Sequence, residues 1–161
     1  MASKPLAPGD KAPAFNLPGD GGATISLAGF KGKAFVLYFY PKDDTTGCTA
    51  EAIAFSGLSK EFQNAGIAVA GISKDSPVSH DKFKKKHGLA LALASDEDTK
   101  TAQAYGVWVE KSMYGRRYMG VERATFLIDA GGTIRHVWRK VKVSGHAAEV
   151  LAAGQALKGD R

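Results

Sequence analysis

The chain has 161 residues, of which 44% are hydrophobic and 24% charged, and a formal net charge of +6. Such a composition excludes a disordered, collagenous or disulfide-dense chain, and no apolar run approaches the ~18 residues that a membrane-crossing helix needs. At this length one domain over residues 1–161 is expected, with a core that needs neither disulfide nor metal for stability.

Residues 1–13 read as an extended lead-in rich in proline. Phe15-Asn16-Leu17 and Thr24-Ile25-Ser26-Leu27 flank the turn signal Pro18-Gly19-Asp20-Gly21-Gly22, which predicts an N-terminal β-hairpin. Lys33 to Tyr40 is nearly continuous and apolar, as in a central strand buried on both faces, and Pro41 ends it by removing a donor. A helix is expected from about Cys48 to Ala65, with Ala52, Phe55, Leu58 and Phe62 as its apolar stripe and Gly66 as its stop. Ile67 to Ser73 is a second buried strand. Ser76-Pro77 then caps and opens a helix that runs to His87 and ends at Gly88.

Leu89 to Leu93 is expected as a short strand and Glu97 to Tyr105 as a helix. Arg123–Asp129 and Thr133–Arg139 are two strands joined by a hairpin signal at Asp129-Ala130-Gly131-Gly132. Gly145 to Leu157 is a final helix with Val150, Leu151 and Leu157 on its apolar side. Strands alternating with helices, then a hairpin and a helix, predict an α/β fold with a central mixed β-sheet flanked by helices.

The positive charge gathers in Lys82 to His87 and in Arg135 to Lys142. These lysines are not interleaved with stacking aromatics, so they read as a solvated helix face and an exposed strand, with no nucleic-acid or membrane partner. The N-terminal residues lack a signal-peptide core, and one cysteine cannot form an internal disulfide. A cytoplasmic location is expected.

That cysteine, Cys48, ends the pattern Pro41-x-x-x-Thr45-x-x-Cys48 at a predicted strand-to-helix turn. A free thiol ionises near pH 8.5, and the thiolate is the nucleophile. The first turn of a helix offers it backbone N–H donors and the positive end of the dipole. Full ionisation gains at most about thirty-fold, so fast chemistry also requires stabilising the oxygen attacked and the oxygen that leaves. The hydroxyl of Thr45, three residues earlier, can face the sulfur, and Pro41 can shield the pocket. Asp43 and Asp44 oppose thiolate formation and must point to solvent, with Lys42 partly offsetting them. The four histidines, His80, His87, His136 and His146, show no ligand spacing with Cys48 and read as surface or packing residues. No metal or cofactor is expected.

The cysteine motif, together with Tyr38-Phe39-Tyr40-Pro41-Lys42-Asp43, Ser79-His80-x-x-Phe83, Leu93-Ala94-Ser95-Asp96, Tyr105-Gly106-Val107-Trp108 and Arg123-Ala124-Thr125-Phe126-Leu127-Ile128-Asp129, resembles the bacterioferritin comigratory protein, or peroxiredoxin Q, subfamily of the peroxiredoxins. The resemblance spans about residues 5–155. It implies a thioredoxin-like fold and reduction of hydrogen peroxide and organic hydroperoxides. It also implies that Cys48 is the peroxidatic cysteine, that Thr45 and Pro41 belong to its pocket, and that Arg123 holds the thiolate and polarises the peroxide. Arg123, 75 residues downstream of Cys48, has no other signal in the sequence. Glu51 is read as a helix-start carboxylate without a catalytic role.

One departure stands out. Many subfamily members carry a resolving cysteine five residues after the first; here that residue is Ile53. The chain therefore resembles a one-cysteine, monomeric peroxidase whose sulfenic acid is resolved by an external thiol of thioredoxin, glutaredoxin or glutathione, and which overoxidises more readily. Two other functions fit the same features: a redox relay that hands oxidation to a client, and a basic binding protein on a thioredoxin-like scaffold.

Overall fold

The structure is a computed structural model that describes residues 6–159. A five-stranded sheet forms its centre, in the order β5 (Ala92–Ser95), β4 (Ile67–Ser73), β3 (Ala34–Phe39), β8 (Ala124–Ile128) and β9 (Ile134–Trp138). β3, β4 and β5 run parallel, whereas β8 and β9 are antiparallel to their neighbours. This is the mixed sheet expected. The N-terminal hairpin is also present, as β1 (Asn16–Pro18) against β2 (Thr24–Ser26). Of the lead-in, residues 1–5 lie outside the described residues; Gly9 and Ala12 bond to the backbone of Ile134 and Gly132.

β3 is buried along its whole length because both faces of the sheet are covered. Phe35, Leu37 and Phe39 point into one core with Phe126, Ile72, Tyr105 and the N-terminal hairpin. Val36, Tyr38 and Tyr40 point into the other, with Phe55, Phe62, Phe83 and Val150 from the helices. Those helices are α1 (Thr46–Gly57), α2 (Ser59–Asn64), α3 (Pro77–His87) and α5 (His146–Gly159). α4 (Lys100–Ala104) packs on the opposite side through Ala102.

Three local expectations are corrected, and one element is added. The single helix expected over Cys48 to Ala65 is two, because Leu58 (ψ 13°) breaks it directly after Gly57, a poor helix former. The strand expected at Leu89 to Leu93 begins only at Ala92, because the Ala90 N–H is taken by Ser56 Oγ at 2.6 Å and β4 offers pairing only from Ala70 onward. The helix expected from Glu97 starts at Lys100: Thr99 adopts φ 62°, and the Asp96 carboxylate accepts the Thr101 and Ala102 N–H groups instead. Finally, β6 (Trp108–Met113) and β7 (Arg116–Val121) form a separate two-stranded hairpin in a stretch with no predicted element. Its outer positions are exposed, so no buried alternation marks its strands.

Other signals hold. Ser76 Oγ accepts the Ser79 N–H at the start of α3, and Gly88 ends that helix at φ 61°.

Tyr38 joins the sheet to α1. Its ring is fully buried and stacks on Phe55 at 4.7 Å. Across the sheet, Gly71 makes room for it: a Cβ there would stand 2.7 Å from Tyr38 Cζ, closer than two carbons can approach. Gly71→Ala is expected to destabilise the fold by about 2 kcal/mol through overpacking. Urea unfolding of the purified variant checks this, and an unchanged midpoint would show that the Tyr38 ring moves freely.

Candidate active site

The turn between β3 and α1 carries Pro41 and Thr45, and Cys48 follows as the third residue of α1. Thr45 is the N-cap of α1, which puts Cys48 in the first helical turn, where backbone N–H groups lack intrahelical acceptors. Cys48 is 1% exposed. Arg123, two residues beyond β7 and immediately before β8, reaches it: Nη2 donates to Cys48 Sγ at 3.2 Å, while Nη1 donates to Glu51 Oε1 at 2.7 Å. Antiparallel pairing of β3 with β8 explains how two residues so far apart in sequence meet, since Phe39 pairs with Ala124 and so brings the start of β8 beside the end of β3. Gly47 leaves the space for this approach, because a Cβ there would lie 3.1 Å from Arg123 Nη2.

Glu51 is therefore more than a helix-start carboxylate. It lies one turn along α1 from Gly47 and is buried, with Oε2 lacking a hydrogen-bond partner among the described residues. Burial pushes its carboxyl up to about 7, against the pull of the adjacent Arg123 guanidinium. Burial also works against the charge on Arg123, but Glu51 and Cys48 outweigh it and raise its pKa above the ordinary arginine value. The Tyr38 hydroxyl, buried and likewise unpartnered among the described residues, feels the charges of Glu51 and Cys48; desolvation first and then these charges raise its pKa well above normal. It stays a neutral phenol.

Thr45 is exposed, and its hydroxyl donates to the Lys42 carbonyl at 2.9 Å rather than to the sulfur. Its oxygen lone pairs are not used by that bond. Pro41 is half-buried at the start of the same turn.

The expectation that both aspartates point to solvent is corrected for Asp43. Its carboxylate is buried, accepting from Tyr40 Oη at 2.6 Å and Ser79 Oγ at 2.7 Å and pairing with His80 Nδ1 at 2.8 Å. Burial pushes this carboxyl up, but the bonds from His80, Tyr40 and Ser79 outweigh it and hold it below its ordinary value. The Asp43 N–H in turn donates to Asp75 Oδ2 at 2.8 Å. Asp44 does face solvent. It sits at φ 61° and accepts from Lys86 and His87 at 2.6 and 2.8 Å. Both negative charges are thus engaged by α3 rather than left to oppose a thiolate. Among the histidines, His80 and His146 are buried, the second against Thr125 Oγ1 at 2.8 Å, while His87 pairs with Asp44 and His136 is exposed.

The ionisation of Glu51 sets a pH dependence. The folded state holds this proton up to about pH 7, whereas an unfolded Glu loses it near 4.3. The folded state thus binds more protons in that window, so the Glu51 contribution to stability is complete at the acid end, falls as the pH rises towards 7 and is flat above. Urea unfolding at intervals from acid to mildly alkaline pH should show this downward component in the wild type and lose it in Glu51→Gln. An identical slope in both proteins would show that Glu51 is already ionised.

No helix among the described residues is long and apolar enough to cross a membrane. The chain matches the model of the AhpC/TSA family over residues 8–137. It is 49% identical to peroxiredoxin Bcp of Bacillus subtilis, covering 89% of this chain and 91% of that protein. Against peroxiredoxin Bcp of Escherichia coli the identity is 44%, covering 91% and 94%. Among solved structures, Xanthomonas campestris peroxiredoxin Q superposes with a TM-score of 0.85 at 46% identity, covering 88% of this chain and 90% of that one. A Xylella fastidiosa PrxQ mutant superposes with a TM-score of 0.91 at 38% identity, covering 97% and 99%. Serine variants of two different cysteines are known for the Xanthomonas protein, whereas this chain has one cysteine. The α/β, thioredoxin-like fold expected from the resemblance therefore holds, and the chain belongs to the AhpC/TSA family as a one-cysteine peroxiredoxin of the Bcp/PrxQ type, a thiol-dependent peroxidase.

Proposed function

We propose that Cys48 is the peroxidatic nucleophile of this enzyme, that Arg123 stabilises its thiolate and the departing oxygen, and that Thr45 and Pro41 complete the pocket. The contact that carries this reading is the 3.2 Å hydrogen bond from Arg123 Nη2 to Sγ, made by a guanidinium whose other end is tied to a buried carboxylate. A charge-assisted bond of this kind stabilises the negative sulfur more than the neutral thiol.

The Cys48 thiolate attacks the terminal oxygen of a hydroperoxide. The O–O bond breaks as the S–O bond forms, and the leaving oxygen takes a proton and departs as water or an alcohol. Arg123 faces the developing charge on that oxygen, and such preorganised donors supply most of the rate gain in a dry site. Thr45 accepts a hydrogen bond from the O–H of the incoming hydroperoxide through its free lone pairs, and that proton passes to the leaving oxygen as the O–O bond breaks. A solved Xanthomonas relative is described by its alkyl peroxide reduction activity, which supports organic hydroperoxides as substrates alongside hydrogen peroxide.

The chain acts as one domain and as a cytoplasmic monomer in this reading. It takes its electrons from thioredoxin, glutaredoxin or glutathione, since no second cysteine exists to resolve the sulfenic acid. It uses no metal or cofactor.

Stopped-flow oxidation of the reduced protein by hydrogen peroxide tests the residue roles, with Trp138 or Trp108 as reporter. Wild type should react orders of magnitude faster than a free thiol, Cys48→Ser should not react, and Arg123→Ala should lose at least about a hundredfold. An Arg123→Ala rate within a few-fold of wild type would remove the arginine from the mechanism.

A further inference from the structure

Cys48 is almost fully buried, yet each turnover requires a thiol from another molecule to reach it. Six large apolar side chains are well exposed among the described residues, and four of them sit in seven residues of one hairpin: Met113 (56%), Tyr114 (96%), Tyr118 (43%) and Met119 (48%). That hairpin, β6–β7, forms its own two-stranded sheet, and neither strand joins the central one. Nothing in the fold requires its apolar tip. The same stretch, residues 108–121, carries Lys111, Arg116 and Arg117 against a single carboxylate, Glu110, for a net charge of +2.

The hairpin is continuous with the catalytic centre. β7 ends at Val121, two residues before Arg123. Lys111 pairs with Tyr118 across the hairpin, and its side chain lies over Gly120, where a Cβ would stand 3.1 Å from Lys111 Cδ. It therefore runs along β7 in the direction of Arg123. Its ionisation agrees with that placement: burial and the charge of Arg123 lower the lysine pKa, with Cys48 and Glu122 acting the other way.

We propose that the β6–β7 hairpin is the docking surface for a dithiol protein reductant whose reactive cysteine lies in an apolar face rimmed by carboxylates. This inference rests on Cys48 being the residue oxidised. Exposed apolar patches containing tyrosine, methionine and arginine are the signature of protein interfaces. A small thiol such as glutathione calls for an enclosing pocket, which a protruding hairpin does not supply. A second copy of this chain brings the same +2 hairpin, and a twofold contact would set like charges against each other.

Docking sets up a balanced exchange. The partner thiolate attacks Sγ of the Cys48 sulfenic acid, an S–S bond forms, and the hydroxyl leaves with a proton as water. The partner's second thiol then attacks its own sulfur in that mixed disulfide. Cys48 departs as a thiolate and the partner carries away both oxidising equivalents as an internal disulfide.

The test uses the full chain, the Tyr114→Ser/Met119→Ser and Arg116→Glu/Arg117→Glu variants, and three reductants: reduced bacterial thioredoxin, glutathione and dithiothreitol. A preliminary single-turnover oxidation by hydrogen peroxide, read as Cys48 sulfenic acid by mass spectrometry, must succeed in the wild type. If it fails, the Cys48 reading itself is wrong and the docking proposal falls with it. Given that oxidation, the KM for thioredoxin should rise about tenfold in each variant, while the peroxide step and regeneration by dithiothreitol change by less than about twofold. An unchanged KM for thioredoxin would overturn the proposal. So would an equal loss with dithiothreitol, wild-type turnover with glutathione alone, or a dimer abolished by the variants with KM unaltered.

Discussion

A buried carboxylate, Glu51, holds a half-buried guanidinium, Arg123, against the sulfur of Cys48, and the rest of the molecule is arranged around that line of three charged or ionisable groups. Glu51 and Cys48 lie three residues apart on one face of α1, while Arg123 comes from the far half of the chain. The contact exists only if α1 and the start of β8 are held in register. β3 does this directly, pairing with β8 along one edge and passing through the Pro41 turn into α1 at its end. The Tyr38–Phe55 stack, with Gly71 hollowed out behind it, fixes the helix on the sheet. A buried ion pair contributes little net stability by itself. Its value here is geometric, since Arg123 with one end tied to Glu51 has fewer ways to leave the sulfur.

The same economy of charge governs the turn that leads into Cys48. Two consecutive aspartates just before a nucleophilic cysteine look unfavourable for its thiolate. α3 resolves the conflict by binding one aspartate near each of its ends: Asp43 at Ser79 and His80, Asp44 at Lys86 and His87. The helix acts as a splint for the turn, and the lysine-rich sequence that reads as a solvated face includes two of its fastenings. The positive φ of Asp44 is the strained point that these contacts hold in place.

Much of this was legible in the sequence. The apolar run of β3, the capped start and glycine stop of α3 and the strand-to-helix setting of Cys48 follow from periodicity and turn chemistry alone. Arg123 does not: nothing local distinguishes a functional arginine at a strand start from a surface one, and only the resemblance pointed to it. Glu51 was visible as a helix-start acid, but its burial depends on tertiary packing that no helical pattern encodes. The burial of Asp43 is not legible locally, because two of its three side-chain partners, Ser79 and His80, lie more than thirty residues away and only Tyr40 is near in sequence. The β6–β7 hairpin escaped because its strands bury little, so the alternation that reveals strands is missing.

The coupling between Glu51 and Arg123 is the most direct measure of the account. A double-mutant cycle on the rate of Cys48 oxidation by hydrogen peroxide, with Glu51→Gln, Arg123→Ala and the pair, isolates it. If Glu51 acts by holding the arginine on the sulfur, its substitution slows wild type but has almost no further effect once Arg123 is gone. Additive losses would contradict the account, because Glu51 would then act on the reaction without the arginine.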